Sequence, residues 1–116
     1  MSLQAINLSV DAGPLRIERM AVQPYPDLAR LWVRVQLSPF EQPPNVRLLC
    51  LDADGQEAAE MLLVEWREPY ISLTMHLKQP YPGAGYVMRA ELSRDGQMLD
   101  AHDFPFALVF EGESEE

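Results

Sequence analysis

One cysteine and two histidines are the residues of this chain best suited to nucleophilic, acid–base or metal chemistry. Cys50 lies in Leu48-Leu49-Cys50-Leu51, with no base beside it in sequence. An apolar setting keeps a thiol protonated, so Cys50 reads as a buried, inert hydrophobe. A lone cysteine also excludes an intramolecular disulfide and a cysteine zinc cage. His102 stands in Asp100-Ala101-His102-Asp103, three polar ligand types in four residues. On a strand, Asp100 and His102 share a face and Asp103 does not, so the tetrapeptide reads as a solvated polar strand face. Asp52-Ala53-Asp54-Gly55-Gln56-Glu57 resembles part of a calcium loop, but position 50 is Cys, and Met61 and Leu62 stand where a bidentate Glu is needed. A hairpin turn is the better reading. The eighteen scattered acids give no assignable glycosidase-type pair. Nucleophile elbow, phosphate loop and dinucleotide fingerprint are missing from the sequence, so no catalytic residue, metal ligand or cofactor is assigned.

Recognition is better served than catalysis. Trp32 falls between Arg30 and Arg34 on the polar side of an alternating run. Tyr25 and Tyr81 each sit in a Gln-Pro-Tyr-Pro segment, at 23–26 and 79–82. Proline on both sides stiffens a tyrosine, so little entropy is lost when it docks. An aromatic beside arginines has the composition of an interface hot spot, and also of a sugar-stacking platform. Trp32 could instead cover a second small core, packed by Trp66 or by arginine stems. Tyr25, Tyr81 and Trp32 are the candidate partner-binding residues.

The elements that must carry these residues are strands, because the dominant period is two. Ile71, Leu73, Met75 and Leu77 alternate with Ser72, Thr74, His76 and Lys78. Leu31, Val33, Val35 and Leu37 alternate with Arg30, Trp32, Arg34 and Gln36. Tyr86, Met88, Ala90 and Leu92 do the same, and Phe104, Phe106, Leu108 and Phe110 line one face of a last strand. Ile6, Leu8 and Val10 suggest a short first strand. Leu15 and Ile17 switch parity to Met20 and Val22 at Glu18-Arg19, which predicts a β-bulge. Val46, Leu48 and Cys50 share a face, yet Leu49 and Leu51 are apolar too, as expected of a central strand covered on both sides. Residues 56–66 are rich in helix formers, but they follow an Asp-Gly turn. A strand over about 60–67 is preferred to a helix there.

Nine of the ten prolines lie between these runs. Pro105 lies inside one, which makes the last strand an edge or marks a bulge. Asp54-Gly55 and Asp95-Gly96 are strong hairpin turns. Seven or eight short strands in about 110 residues point to an all-β, two-sheet antiparallel sandwich. It forms one domain over residues 1–110, with an acidic, apolar-free tail over 111–116 that is expected to be disordered.

With 116 residues, 47% of them hydrophobic, the chain can bury one core without staples. Nine Lys and Arg against eighteen Asp and Glu give a net charge of −9. That opposes nucleic-acid binding, which rests on cations that neutralise phosphates, and opposes anionic membrane surfaces. The N-terminus lacks a basic start and a continuous apolar run, so no signal peptide is read and a cytoplasmic location is expected. A secreted domain with its signal removed is the alternative. Asn7-Leu8-Ser9 fits a glycosylation acceptor, but such tripeptides arise by chance.

Gly83-Ala84-Gly85-Tyr86-Val87-Met88-Arg89-Ala90 resembles the strand F region of immunoglobulin-like and fibronectin type III-like domains. In that family a Tyr precedes the second core cysteine by two residues. Tyr86 takes the Tyr position, and Met88 replaces the cysteine. The resemblance implies that residues 31–37 form strand B, with Val33 or Val35 replacing the first cysteine. Asp95-Gly96 would be the F–G turn and residues 98–110 strand G. The strand C tryptophan of antibody domains is missing, since Leu48 and Leu49 occupy that region. The family implies a binding or structural role more often than catalysis. The expectation is a non-catalytic protein-interaction or structural module, with a small-ligand or carbohydrate-binding domain as the alternative. Its partner would be a protein, or a second copy docked weakly through an edge strand, since the single lysine leaves edges poorly blunted. The two Gln-Pro-Tyr-Pro loops are expected at one end of the sandwich, with the turn that follows Asp52.

Overall fold

Alternation along the chain becomes two faces once strands pair, and the apolar faces meet. The structure is a computed structural model and describes residues 14–111. Seven strands follow one another: β1 (Ile17–Pro24), β2 (Arg30–Leu37), β3 (Asn45–Leu51), β4 (Glu57–Leu63), β5 (Tyr70–His76), β6 (Gly85–Arg94) and β7 (Gln97–Ala107). The described residues contain no helix. β1, β2 and β5 form a three-stranded sheet in that order, and β4, β3, β6 and β7 form a four-stranded one. Every pairing is antiparallel. The architecture is thus the expected two-sheet sandwich. The proposed strand around Ile6, Leu8 and Val10, the Asn7 acceptor and tail residues 112–116 lie outside the described residues.

The core takes its side chains from the central strands. Leu31, Val33 and Val35 of β2 face Val46, Leu48 and Cys50 of β3 and Met88, Ala90 and Leu92 of β6, all with essentially no exposure. Ile71 and Met75 of β5 complete it, while Leu73 and Phe106 are only partly buried against it. β3 lies between β4 and β6, and Leu49 on its outer face is also buried, which accounts for its two-sided apolar pattern. The parity switch at Glu18-Arg19 is a bulge, with the β1–β2 register shifting between Ile17 and Arg19. At the β6–β7 hairpin, Asp95 and Gly96 have φ of 54° and 77°. Two positive φ values suit the right-handed twist of a two-residue hairpin, and Gly makes the second one cheap.

Within 56–66, residues 57–63 are strand where local propensity alone favours helix, because both neighbours of β4 demand extended chain: the β3 ladder on one side and β5 across the sandwich. The strand starts at Glu57 and stops at Leu63, earlier at both ends than its apolar spacing suggests. Glu65 leaves it with φ 51°, and its N–H is taken by the Asn45 side chain at 2.9 Å.

Among the described residues, β1 and β7 are the edges of their sheets on one side of the sandwich, and β5 and β4 on the other. One hydrogen bond among the described residues crosses each side. Ile17 N–H donates to Asp100 Oδ2 at 2.8 Å, and Lys78 N–H donates to Ala58 O at 2.9 Å. Asp100 is therefore a clasp between sheets, not part of a solvated face as its sequence setting suggests. Asp103, on the opposite face of β7, pairs with Arg89 at 2.8 Å. Pro105 lies opposite Val87. Leu108 N–H donates to Ala84 O, so the alternation of the ladder turns the main-chain nitrogen of Pro105 away from β6. A missing N–H costs no ladder bond at that position.

Candidate functional site

The open side of the sandwich between β1 and β7 holds a cleft of about 390 Å³. Val22, Gln23, Pro24 and Tyr25 line one wall with Trp32; Phe106, Val109, Phe110 and Glu111 line the other. Its origin is local. β1 and β7 are clasped by Ile17 and Asp100 at the far end, while at this end Pro24 closes β1 and the chain past Ala107 leaves the ladder. Val109 N–H folds back onto Ala107 O at 2.9 Å, which turns Val109 and Phe110 outward. Trp32, Val109 and Phe110 remain 39%, 38% and 44% exposed, a concentration of large apolar surface at one edge.

The aromatic residues are held in place. Trp32 Nε1–H donates to Ser72 Oγ at 2.9 Å, and the Arg34 guanidinium lies 4.1 Å from the indole centroid. Tyr25 and Thr74 share a hydrogen bond between their hydroxyls at 2.9 Å, and Arg30 lies 4.5 Å from the Tyr25 centroid. Arg30 is itself held by Asp27 at 2.8 Å. Asp27 accepts from Ala29 N–H and from Arg30, and these bonds hold its carboxyl below the usual carboxylate range. Arg34 thus supplies the arginine cover for Trp32; Trp66 packs against the core, and its backbone amide donates to Pro44 O.

The two Gln-Pro-Tyr-Pro segments lie at one end. Leu77 N–H donates to Ala29 O, which joins the two loops, and the turn after Asp52 shares a hollow with Gln79 and Tyr81. The tyrosine rings nevertheless serve different surfaces. Tyr25 folds over the outer face of the three-stranded sheet and lines the cleft with Trp32. Tyr81, 59% exposed, faces the acidic hollow of Asp52, Asp54 and Glu57. Phe106, Val109 and Phe110 went unrecognised in sequence because period two assigned the phenylalanines to the core face. The signal was available in part, since Val109 is apolar between Leu108 and Phe110 and so breaks the alternation of the last strand.

The groups with chemical potential are elsewhere. Cys50 is fully buried in β3, and burial, with Asp52 nearby, pushes its thiol up to about 12. His76 is exposed at the end of β5, and His102 is exposed on β7 opposite Ala90. Among the described residues no three His, Cys, Asp or Glu side chains are grouped to hold a metal ion, and no helix is long and apolar enough to cross a membrane.

No protein-family model matches the sequence, and no curated protein matches it either. Solved structures do match the fold. A β-glucuronidase of Bifidobacterium dentium, solved with coumarin-3-O-glucuronide, superposes with a TM-score of 0.66 at 18% identity, over 81% of this chain and 18% of that one. A glycosyl hydrolase family 2 member of Bacteroides cellulosilyticus gives 0.63 at 15% identity, over 82% of this chain and 15% of that one. A β-D-glucuronidase of Dictyoglomus thermophilum gives 0.56 at 14% identity, over 80% and 15%. The chain therefore spans less than a fifth of these enzymes, and the likeness is one of fold.

Proposed function

We propose that this chain is an immunoglobulin-like, non-catalytic interaction module that docks an apolar protein surface in the cleft between β1 and β7. The observation that carries the reading is the cleft, where Trp32, Val109 and Phe110 stay exposed beside an apolar hollow of about 390 Å³. The immunoglobulin-like assignment draws support from Tyr86. Its hydroxyl accepts a hydrogen bond from Tyr81 N–H at 3.0 Å, five residues upstream, as the corner tyrosine of such domains does. β4 lies on the β3 edge and not beside β5, so the strand order differs from the constant-type arrangement. The glycosidase neighbours support a modular role: in each, a sandwich like this one is a small part of a larger chain.

A protein partner fits this cleft better than a stacked sugar. Arg34 occupies one face of the Trp32 ring, and the indole N–H is already bonded to Ser72. A second copy fits less well, because two chains of net charge −9 repel. The test is capture from native extract with immobilised wild-type chain, with Trp32→Ala plus Phe110→Ser, and with Leu62→Ser on β4 at the other side of the sandwich. A discrete protein lost only with the cleft variant supports the proposal; identical capture profiles contradict it.

A further inference from the structure

The outer face of the three-stranded sheet stands out against the acidity of the rest. Three rows cross it: Gln23–Trp32–Thr74, Ala21–Arg34–Ser72 and Arg19–Gln36–Tyr70. These nine positions hold two arginines and no acid, in a chain with eighteen acids. The arginines elsewhere at strand centres are neutralised: Arg47 by Glu60 and Glu91, Arg89 by Asp103. Among the described residues neither Arg19 nor Arg34 has an ion-pair partner.

Arg34 is held in a receptive pose. Its guanidinium stacks on Trp32, one terminal nitrogen donates to Gln23 Oε1 at 3.2 Å, and its buried Nε–H has no partner. The short side chains of Ala21 and Ser72 flank it in its row. Beside it, Arg19, Gln36 and Tyr70 border a hollow of about 160 Å³. A stacked guanidinium whose second terminal nitrogen has no partner among the described residues is suited to a charge-assisted hydrogen bond with a carboxylate.

We propose that this face docks an acidic segment of a partner protein, with a side-chain carboxylate lying against Arg34 and Arg19. Charge complementarity selects the occupant: the face is locally cationic and aromatic, while the molecule as a whole repels anions. The site does not rest on the cleft reading, since its arginines lie outside the cleft wall.

The probe is a fluorescent octaglutamate peptide titrated at low salt. Because the protein carries −9, saturable binding of an anion must be local. The expected result is binding that added salt weakens and that Arg34→Gln or Arg19→Gln reduces about tenfold each, the effect of losing roughly one charge-assisted contact. Arg67→Gln, at an arginine away from this face, should leave it unchanged. Arg19 is exposed, so Arg19→Gln reads the site even if Arg34→Gln fails to fold. Absence of saturable binding, or wild-type affinity in both arginine variants, overturns the proposal. So does saturation by an oligogalacturonate at the same arginines without octaglutamate binding. Phe110→Ser should leave octaglutamate affinity unchanged, and its loss there would overturn the separation from the cleft.

Discussion

Tyr86 shows how one side chain links core and loop. Its ring stacks on Phe106 with centroids 5.7 Å apart, and its hydroxyl holds the backbone of Tyr81. Tyr86→Phe keeps the ring and orphans the Tyr81 N–H. The expected cost is about 1 kcal/mol in denaturant unfolding, with faster hydrogen exchange at the Tyr81 amide. Unchanged exchange would show that the hydroxyl does not hold the loop. Cys50 gives a second check. Its thiol is buried and titrates near 12, so a thiol reagent at pH 8 should label the folded chain only after denaturant is added. The raised value also sets a pH window. Unfolded chains ionise the thiol near pH 9 and folded chains only near pH 12, so the stability linked to Cys50 is intact below pH 9 and declines between the two. On the surface, Arg89 hydrogen-bonds Asp103 and holds its carboxyl below the usual range. Arg89→Gln should raise the Asp103 titration midpoint, as followed by NMR; an unmoved midpoint would deny the pair.

Strand by strand, period two was a sufficient guide wherever one face is core and the other is polar. The β1 bulge, both Asp-Gly turns and the parity of β2, β5 and β6 all follow from it. It was insufficient where tertiary neighbours decide. The bounds of β4 depend on its ladder with β3, and the clasp by Asp100 depends on a β1 amide 83 residues away, which no local pattern encodes. The cleft was only partly legible: Trp32 and Tyr25 were visible as aromatics outside the core pattern, but their meeting with Phe106, Val109 and Phe110 is a product of sheet edges. Two substitutions test the element assignments. Leu48→Ala, in the buried face of central β3, should cost on the order of 2–5 kcal/mol, whereas Leu62→Ala on the exposed face of β4 should stay within about 0.5 kcal/mol. Equal melting temperatures would break the register. Pro105→Thr restores an outward N–H without touching the β6 ladder. Folding stability should change little, while self-association detected by light scattering should rise, because a blunted edge has been opened.

As a whole molecule, the sandwich has two surfaces that differ from its acidic exterior: an apolar cleft at one edge and a cationic face on the smaller sheet. They meet at Trp32, which lines the cleft with its ring and carries Arg34 on its face. A partner that presents apolar side chains to the cleft and acids to the sheet would engage both. The central claim is that the cleft is where a partner docks, and site-specific photo-crosslinking tests it most directly. A photoreactive phenylalanine analogue would replace Phe110 in the cleft, Tyr81 in the acidic hollow, or Leu62 on β4 at the other side of the sandwich, each irradiated in native extract. The account predicts one discrete protein adduct from position 110 that Trp32→Ala abolishes, and none of that mass from position 62. The same adduct from position 62, or from position 81 alone, would contradict it.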